Sequence, residues 1–299
     1  MLEIEIAGVR FRNPVILASG TIGTDYAGLV DWRDYGAVVA KSVTLSARIG
    51  NPPPRVCETP AGMLNAIGLE NKGVNHFVRA DLPAYLEAGA TVIASIAGET
   101  VEEYADVAEV LNEAKGVVAL EVNVSCPNVS RGGVQFGSRP RLAAEVTAAV
   151  KAVTAKPVFV KLTPNVTSIT DAAKAVEAAG ADAVSLINTI TGMVIDIATE
   201  KPVLGKKTGG LSGPAIRPVA VRMVYEVAGA VSVPIIGVGG IMTAEDAAQF
   251  LMAGATAVEV GTAVFVDPKA TGAIASGLAS IAAKKGYDHV SRMIGKARQ

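Results

Sequence analysis

The chain has few of the side chains that usually carry protons near neutral pH. Its 299 residues include two histidines, His76 and His289, and neither lies in a motif. Because histidine is the side chain that ordinarily titrates between about pH 5 and 8, a cysteine becomes a serious candidate for a catalytic base. Cys57 and Cys126 are the two cysteines, and they form no CxxC pair. The sequence therefore predicts no disulfide framework and no metal site, and it favours a reducing, cytoplasmic environment.

Strong net charge and long apolar runs are also missing. The formal net charge is -1, while hydrophobic residues make up 50% of the chain. This balance provides a large core but no electrostatic field that would attract nucleic acid or an anionic membrane. No apolar run approaches the ~18 residues of a membrane span, and the N-terminal segment Met1–Ile6 alternates like a surface strand rather than a signal peptide. We predict neither nucleic acid nor a membrane as a partner.

Short apolar runs rich in β-branched residues alternate with Ala-rich amphipathic segments along the chain. We predict strands at Val15–Ala18, Ala37–Val43, Val92–Ile96, Val117–Asn123, Val158–Leu162, Ala183–Ile187, Ile235–Val238 and Ala257–Val260. We predict helices at Val101–Ala114, Arg141–Val153, Thr170–Ala179, Ala215–Ala228 and Thr243–Ala253. Continuous apolar strands separated by helices indicate a parallel sheet covered on its faces. Eight such units favour the α/β class, as a (β/α)8 TIM barrel in one domain over residues 1–299, with a doubly wound open sheet as the alternative.

The residues that follow the predicted strands are polar and rich in glycine. They are Ser19-Gly20-Thr21, Lys41-Ser42, Ser95, Asn123 with Cys126, Lys161, Asn188-Thr189, Gly239-Gly240 and Gly261-Thr262. In a barrel of this kind the active site lies at the carboxyl ends of the strands. Lys41 and Lys161 would bring ammonium groups to the barrel mouth, where an unpaired charge is costly. We predict that both lysines hold an electron-rich group, and an ordinary charged strand end is the alternative.

Glycine-rich loops follow the last two predicted strands, at Gly237–Ile241 and Val260–Thr262. Such loops expose backbone N–H groups, and barrels often bind phosphate there. Gly209–Pro214 is predicted to add a third glycine turn, with Pro214 suited to a helix start. The three turns favour a cofactor that carries a single phosphate. A dinucleotide is disfavoured, because neither GxGxxG after the first strand nor GxxxxGK[ST] occurs.

In their order and residues, these motifs closely resemble those of the class 1 dihydroorotate dehydrogenases, the flavoprotein barrels of pyrimidine biosynthesis, and above all their NAD-linked B-type catalytic subunits. The resemblance covers essentially the whole chain. Its motifs are Asn13–Thr21, Asn51–Arg55, Gly62–Leu69, Asn123–Asn128, Asn188-Thr189, Gly209–Ile216, Gly237–Ile241, Ala253–Ala255 and Val260–Thr262. So many ordered matches are highly specific.

The resemblance implies one FMN across the barrel mouth and the oxidation of dihydroorotate to orotate. It implies that the FMN phosphate lies on Gly240, Gly261 and Thr262, assisted by Gly213 and Gly239. The remaining implied cofactor contacts are Ser19, Thr21, Lys41, Ser42, Ser95, Asn123, Lys161 and Ile187. The implied substrate contacts are Lys41, Asn65, Ala66, Ile67, Gly68, Leu69, Asn123, Asn188 and Thr189. Cys126 would be the base, although a structural thiol at a strand end is the alternative, as a plain turn is for Asn65.

The resemblance also implies a partner, because the chain holds no iron–sulfur motif. A B-type enzyme would pass electrons to an electron-transfer subunit carrying FAD and a 2Fe-2S cluster, and then to NAD. We expect a catalytic homodimer within a heterotetramer. A fumarate-linked class 1 enzyme, a dihydropyrimidine dehydrogenase-like flavin barrel and a non-catalytic barrel are the alternatives. We also expect the glycine-containing stretch 129–140 to act as a lid, and Cys57 to lie in a loop.

Overall fold

The computed structural model describes residues 1–125, 127–128 and 134–299. Eight parallel strands form a closed barrel, which confirms the predicted fold. We number the barrel strands β1 to β8 along the chain: Val15–Leu17, Ala37–Val39, Val92–Ile96, Val117–Asn123, Val158–Leu162, Ala183–Leu186, Ile235–Val238 and Ala257–Val260. All eight predicted strands are present. The second is shorter than predicted, because beyond Val39 the chain keeps only a bridge from Val43 to Ile96.

The barrel closes by pairing its last strand with its first. Val258 of β8 lies beside Val15 of β1 in parallel register, and β4 pairs with β5 through Asn123 and Lys161. The strands are buried along almost their whole length, as expected when both faces of a parallel sheet are covered. Closure leaves no barrel edge unpaired and gathers the carboxyl ends of all eight strands at one mouth.

Helices cover the outside of the barrel. The α-helices are Val74–His76, Leu82–Glu87, Val101–Asn112, Pro140–Val153, Ile169–Ala178, Arg217–Ala228, Ala244–Ala253, Ala263–Val266 and Ala270–Lys284, with a π-helix at Phe77–Asp81. Thr243 precedes the Ala244–Ala253 helix and accepts the Asp246 N–H, forming a capping box, which fixes where the helix starts. Within the described part of the chain, no helix has both the length and the apolar character needed to cross a bilayer.

A four-stranded antiparallel sheet adjoins the barrel, and it corrects two predictions. Gly209–Ser212 is a strand rather than a turn, paired with Gly62–Asn65. Glycine is required there by close approach, because a methyl group at Gly210 would overlap the Thr189 hydroxyl. Cys57 lies in the strand Val56–Thr59 rather than in a loop. Pro214 starts a 3₁₀ turn that leads into the next α-helix, as its fixed φ favours.

The remaining elements are short. The other strands are Ile4–Ile6, Val9–Phe11, Pro127–Asn128, Val134–Gln135, Ile190–Gly192, Ile195–Asp196 and Lys201–Pro202. The 3₁₀ helices are Thr24–Leu29, Trp32–Asp34, Phe136–Ser138, Pro214–Ile216, Val290–Met293 and Lys296–Arg298. Two of the short strands, Pro127–Asn128 and Val134–Gln135, pair with each other, and the second lies within the stretch 129–140 where we expect a lid. Residues 129–133 lie outside the described residues.

Candidate active site

A cleft of about 620 Å³ opens at the carboxyl ends of the barrel strands. It is lined by most of the residues singled out from the sequence: Ser19, Thr21, Lys41, Ser42, Asn65, Ala66, Ile67, Gly68, Leu69, Ser95, Asn123, Lys161, Ile187, Asn188, Thr189, Gly239, Gly240, Gly261 and Thr262. Gly213 lies behind the cleft wall instead, and Cys126 lies outside the described residues. Residues far apart in sequence meet here because the barrel brings its strand ends together.

The glycine loops after β7 and β8 form one wall of the cleft. Gly240 has φ 71°, and a methyl group there would lie 2.6 Å from the carbonyl oxygen of Gly213. Gly213 therefore supports this loop from behind. Next to it, Thr262 donates a hydrogen bond from Oγ1 to Ser212 Oγ, at 2.8 Å.

Gly261 differs from the neighbouring glycines because the fold does not require it. A methyl group at Gly261 would meet only Ala18 and Thr21, at ordinary contact distances of 3.6 and 3.7 Å. Its backbone is not in the left-handed region that favours glycine. The open space beside Gly261 belongs to the cleft, and a backbone without a side chain lets a bound group approach its N–H closely. The cleft thus fits a phosphate at this wall.

Hydroxyl groups and a lysine form a second wall, at the ends of β1, β2 and β3. Ser19 donates to the carbonyl of Ala40 at 2.9 Å, and the hydroxyls of Ser42 and Ser95 lie 2.8 Å apart. Lys41 has no hydrogen bond or ion pair within the described part of the chain. Burial lowers the pKa of Lys41, and the carboxylate of Glu70 partly opposes this. An ammonium group in this position is available to an anionic or electron-rich ligand.

Amide side chains line the opposite side of the cleft. Asn188 donates from Nδ2 to Ser125 Oγ at 2.9 Å and to Asn123 Oδ1 at 3.3 Å. The buried Tyr104 fixes the end of β4 from outside, because its hydroxyl donates to the carbonyl oxygen of Asn123 at 2.7 Å. These contacts orient the amide of Asn123 toward the cleft without using its Nδ2 group.

Asn65 brings a third amide to the cleft. It is the last residue of the strand Gly62–Asn65, and its Nδ2 donates weakly to the carbonyl of Gly210 at 3.4 Å. The following residues are fixed by Asn51, which donates from its backbone to Ile67 and from its side chain to Ala66, at 2.9 and 3.0 Å. Asn65 is thus a strand end held over the cleft, which removes the plain-turn alternative.

A buried charge cluster lies beneath the cleft, and we call it the interior triad: Glu121 of β4, Lys161 of β5 and Glu259 of β8. Lys161 Nζ lies 2.6 Å from Glu259 Oε2 and 3.4 Å from Glu121 Oε1. Both carboxyl groups are 1% exposed and Lys161 is 7% exposed. The electron-rich partners predicted for Lys161 are therefore two glutamates of the same chain. Lys161 and Glu121 line the cleft, whereas Glu259 does not.

The triad changes the acidity of its members. Burial lowers the pKa of Lys161, but attraction to Glu121 and Glu259 outweighs this and raises the pKa above its ordinary value. Burial, followed by repulsion from Glu121, raises the pKa of Glu259 to about 8. This shift favours the ammonium form of Lys161. The charge of Lys161 is offset by the two glutamates that hold it below the cleft.

Sequence reasoning missed Glu121 and Glu259. Each is the lone acidic residue of a strand whose other residues are mainly apolar and buried. A carboxyl group in such a strand requires a buried partner, and this pattern was the available signal. The sequence could not show which lysine crosses the barrel interior to reach these two glutamates.

A closed parallel barrel with a glycine-lined wall, a buried lysine and several amide side chains around one cleft defines a barrel protein with a candidate binding site over its strand ends. The chain belongs to the dihydroorotate dehydrogenase family, whose sequence profile matches residues 1–282. This is a family of flavin-dependent oxidoreductases. Membership confirms the resemblance seen in the sequence motifs.

Curated relatives match over nearly their whole length. A protein of Anoxybacillus flavithermus is 51% identical over 99% of this chain and 96% of its own. Proteins of Geotalea uraniireducens and Trichlorobacter lovleyi are 51% and 52% identical, each over 98% of this chain and 97% of their own. All three are named dihydroorotate dehydrogenase B (NAD(+)), catalytic subunit.

We predict that Lys161→Met lowers the free energy of unfolding by about 3–5 kcal/mol near pH 8, because it leaves two buried carboxyl groups without a cation. The loss should shrink toward pH 5. Without the cation the pKa of Glu259 in the folded state lies above that of the unfolded chain, because Lys161 no longer opposes the effect of burial, so stability is lost as pH rises. Urea denaturation at several pH values measures this.

The matched control is Lys151→Met, which removes the partner of Asp182 at a site about 30% exposed. We expect Lys151→Met to lower the free energy of unfolding by about 1 kcal/mol or less, with little dependence on pH. Equal losses in the two variants would contradict the role given to the interior triad.

Proposed function

We propose that this chain oxidises (S)-dihydroorotate to orotate in pyrimidine biosynthesis, with FMN as its flavin, as the catalytic subunit of a B-type, NAD-linked enzyme. The observation that carries the proposal is the cleft itself, which is lined by Asn65, Asn123 and Asn188 together with Lys41. Family membership supports the same reaction.

The substrate carries a planar imide and a carboxylate, and the cleft offers matching groups. Among the described contacts, Asn65 Oδ1 is an unused acceptor and Asn123 Nδ2 is an unused donor. Amides of this kind pair with the N–H and C=O groups of an imide. Lys41 would offset the negative charge of the substrate, with further contacts from Thr189 and the Ala66–Leu69 backbone.

The cofactor wall supports FMN rather than a dinucleotide. Gly240, Gly261 and Thr262 would hold one phosphate, with Gly213 and Gly239 shaping the loops around it. Ser19, Thr21, Ser42, Ser95 and Ile187 would border the flavin ring system. Bound FMN supplies the acceptor for the hydride that leaves the substrate.

We assign removal of the substrate proton to Cys126, because the family resemblance implies that this residue is the base. Its Sγ would take the proton from the carbon next to the substrate carbonyl, while Lys161 holds positive charge under the cleft. An unperturbed thiol has a pKa of about 8.5, so activity should rise toward alkaline pH. Closure of the stretch 129–140 over this site would exclude water.

The electron acceptor is proposed from the relatives. Their names describe a catalytic subunit linked to NAD(+), and a catalytic subunit implies a partner. We infer an electron-transfer subunit that carries FAD and a 2Fe-2S cluster, in a heterotetramer around a catalytic homodimer, located in the cytoplasm.

The direct test is anaerobic addition of dihydroorotate to the purified chain, followed by visible flavin absorbance, with NADH added alone in parallel. We expect bleaching by dihydroorotate but not by NADH, because the proposed substrate cleft lies in this chain and the sequence contains neither GxGxxG after the first strand nor GxxxxGK[ST]. A yellow protein that dihydroorotate fails to bleach would favour a dihydropyrimidine dehydrogenase-like relative. A colourless protein would overturn the flavin assignment.

Replacing Cys126 tests the base. We predict that Cys126→Ala binds FMN but loses most flavin reduction, since proton transfer by a positioned side chain contributes about 10²–10⁴-fold. Cys126→Ser should retain slow reduction that demands a higher pH, because a hydroxyl is a weaker acid than a thiol. Stopped-flow absorbance with dihydroorotate measures both rates. Reduction by the alanine variant at the wild-type rate would reject Cys126 as the base.

Replacing Gly261 tests the phosphate wall. The fold has room for a methyl group at Gly261, so Gly261→Ala should leave stability unchanged or raise it by about 0.4–1 kcal/mol. A methyl group forced against a bound phosphate costs about 1–3 kcal/mol, so FMN affinity should fall about tenfold or more. Fluorescence titration with FMN and urea denaturation measure the two quantities.

Gly28→Ala is the matched control, because a methyl group there would meet no neighbour within 4 Å and Gly28 does not line the cleft. It should bind FMN as the unmodified chain does. If Gly261→Ala also binds FMN normally, the phosphate does not lie on this wall.

A further inference from the structure

The interior triad holds more negative charge than its single cation can balance. With all three groups ionised, Glu121 and Glu259 contribute two negative charges against one positive charge on Lys161, and all three residues are buried. An uncompensated charge in such surroundings is costly. One proton bound by the triad would make it neutral.

The two carboxyl groups are not equivalent. Glu121 uses both oxygens, because Oε1 faces Lys161 and Oε2 accepts from Ser185 Oγ at 2.9 Å. Glu259 uses only Oε2, since its Oε1 is buried and has no hydrogen-bond partner. Two ionised carboxyl groups cannot hydrogen-bond each other, whereas a protonated carboxyl group can donate. The absence of a hydrogen bond at Glu259 Oε1 therefore points to Glu259 as the residue that carries the proton.

We propose that Glu259 is a positioning residue of the flavin site: it retains one proton in the oxidised enzyme at neutral pH, holds Lys161 Nζ beneath the cleft, and thereby makes the reduction potential of the bound flavin depend on this buried proton. The flavin part of this inference rests on the proposed function. Glu259 does not line the cleft, so its effect passes through Lys161.

The titration of Glu259 agrees with this assignment. Burial first, and then repulsion from Glu121, raise the pKa of Glu259 to about 8, while Lys161 acts in the opposite direction. The charged groups that face Glu259 are Glu121 from β4 and Lys161 from β5. The adjoining strands β7 and β1 contain only apolar residues and glycine.

Flavin reduction should shift this equilibrium. A bound flavin would accept the two electrons and one proton of the hydride, and the reduced cofactor would present more negative charge to Lys161. Lys161 is then attracted by that charge and stabilises the Glu259 carboxylate less, so Glu259 binds a proton more tightly. Where Glu259 is ionised before reduction, one additional proton is taken up from solvent. Linkage requires that this proton also favours the reduced flavin.

The first measurement is infrared absorption of the protonated carboxyl C=O group in the full-length chain between pH 5 and 10. We expect the unmodified chain to lose such a band with a midpoint near pH 8, and Glu259→Gln to lack that band. Glu226→Gln, which makes the same chemical change at an exposed ion pair with Arg222, should keep it. A band that is absent in the unmodified chain, or that persists in Glu259→Gln, overturns the proton assignment. This result does not depend on the reaction catalysed.

The second measurement is the reduction potential of the flavin-loaded enzyme against pH. Each proton taken up with two electrons adds about 30 mV per pH unit to the slope. For the unmodified enzyme, the plot of reduction potential against pH should therefore become steeper above about pH 8. The plot for Glu259→Gln should keep a single slope, and the plot for Glu226→Gln should match that of the unmodified enzyme. An unchanged break in Glu259→Gln contradicts the link to the flavin. If Glu259→Gln does not fold, Glu259→Asp must retain a break, and a straight profile in that variant rejects the proposal.

Discussion

Pairing of β8 with β1 is the constraint on which the rest of the structure depends. The strands are apolar on both faces, so an open sheet would leave its two edge strands without partners. Closure pairs the first and last strands with each other, as where Val258 lies beside Val15. It also brings together strand ends that are far apart in sequence. The candidate site exists because of that geometry, since no two neighbouring strands contain all of its components.

Closure also creates the main electrostatic problem of the molecule. Side chains that point inward from different strands share one dry interior, and here Lys161 of β5 reaches Glu259 of β8 across it. A buried ion pair seldom adds net stability over apolar packing. What this cluster provides is a lysine of fixed position and fixed charge directly below a cleft, which an apolar interior could not supply.

The sequence predicted the architecture well, because apolar periodicity and strand-end composition are local signals. It failed where the decisive neighbour is distant in sequence. Gly209–Ser212 looked like a turn, yet its glycines serve close packing against Thr189 within a sheet. Glu121 and Glu259 were overlooked because their partner lies on another strand. Lys161 was correctly noticed, but the groups it holds could be identified only once the barrel was closed.

We propose that the glycine loops after β7 and β8 hold the cofactor phosphate. Hydrogen exchange of the chain with and without FMN tests it directly, because a bound phosphate protects the backbone N–H groups it contacts. Slower exchange at Gly240, Gly261 and Thr262 on adding FMN is the predicted result. Protection confined elsewhere, for example to the second cavity of about 430 Å³ lined by Met242 and Ile274, would contradict the account.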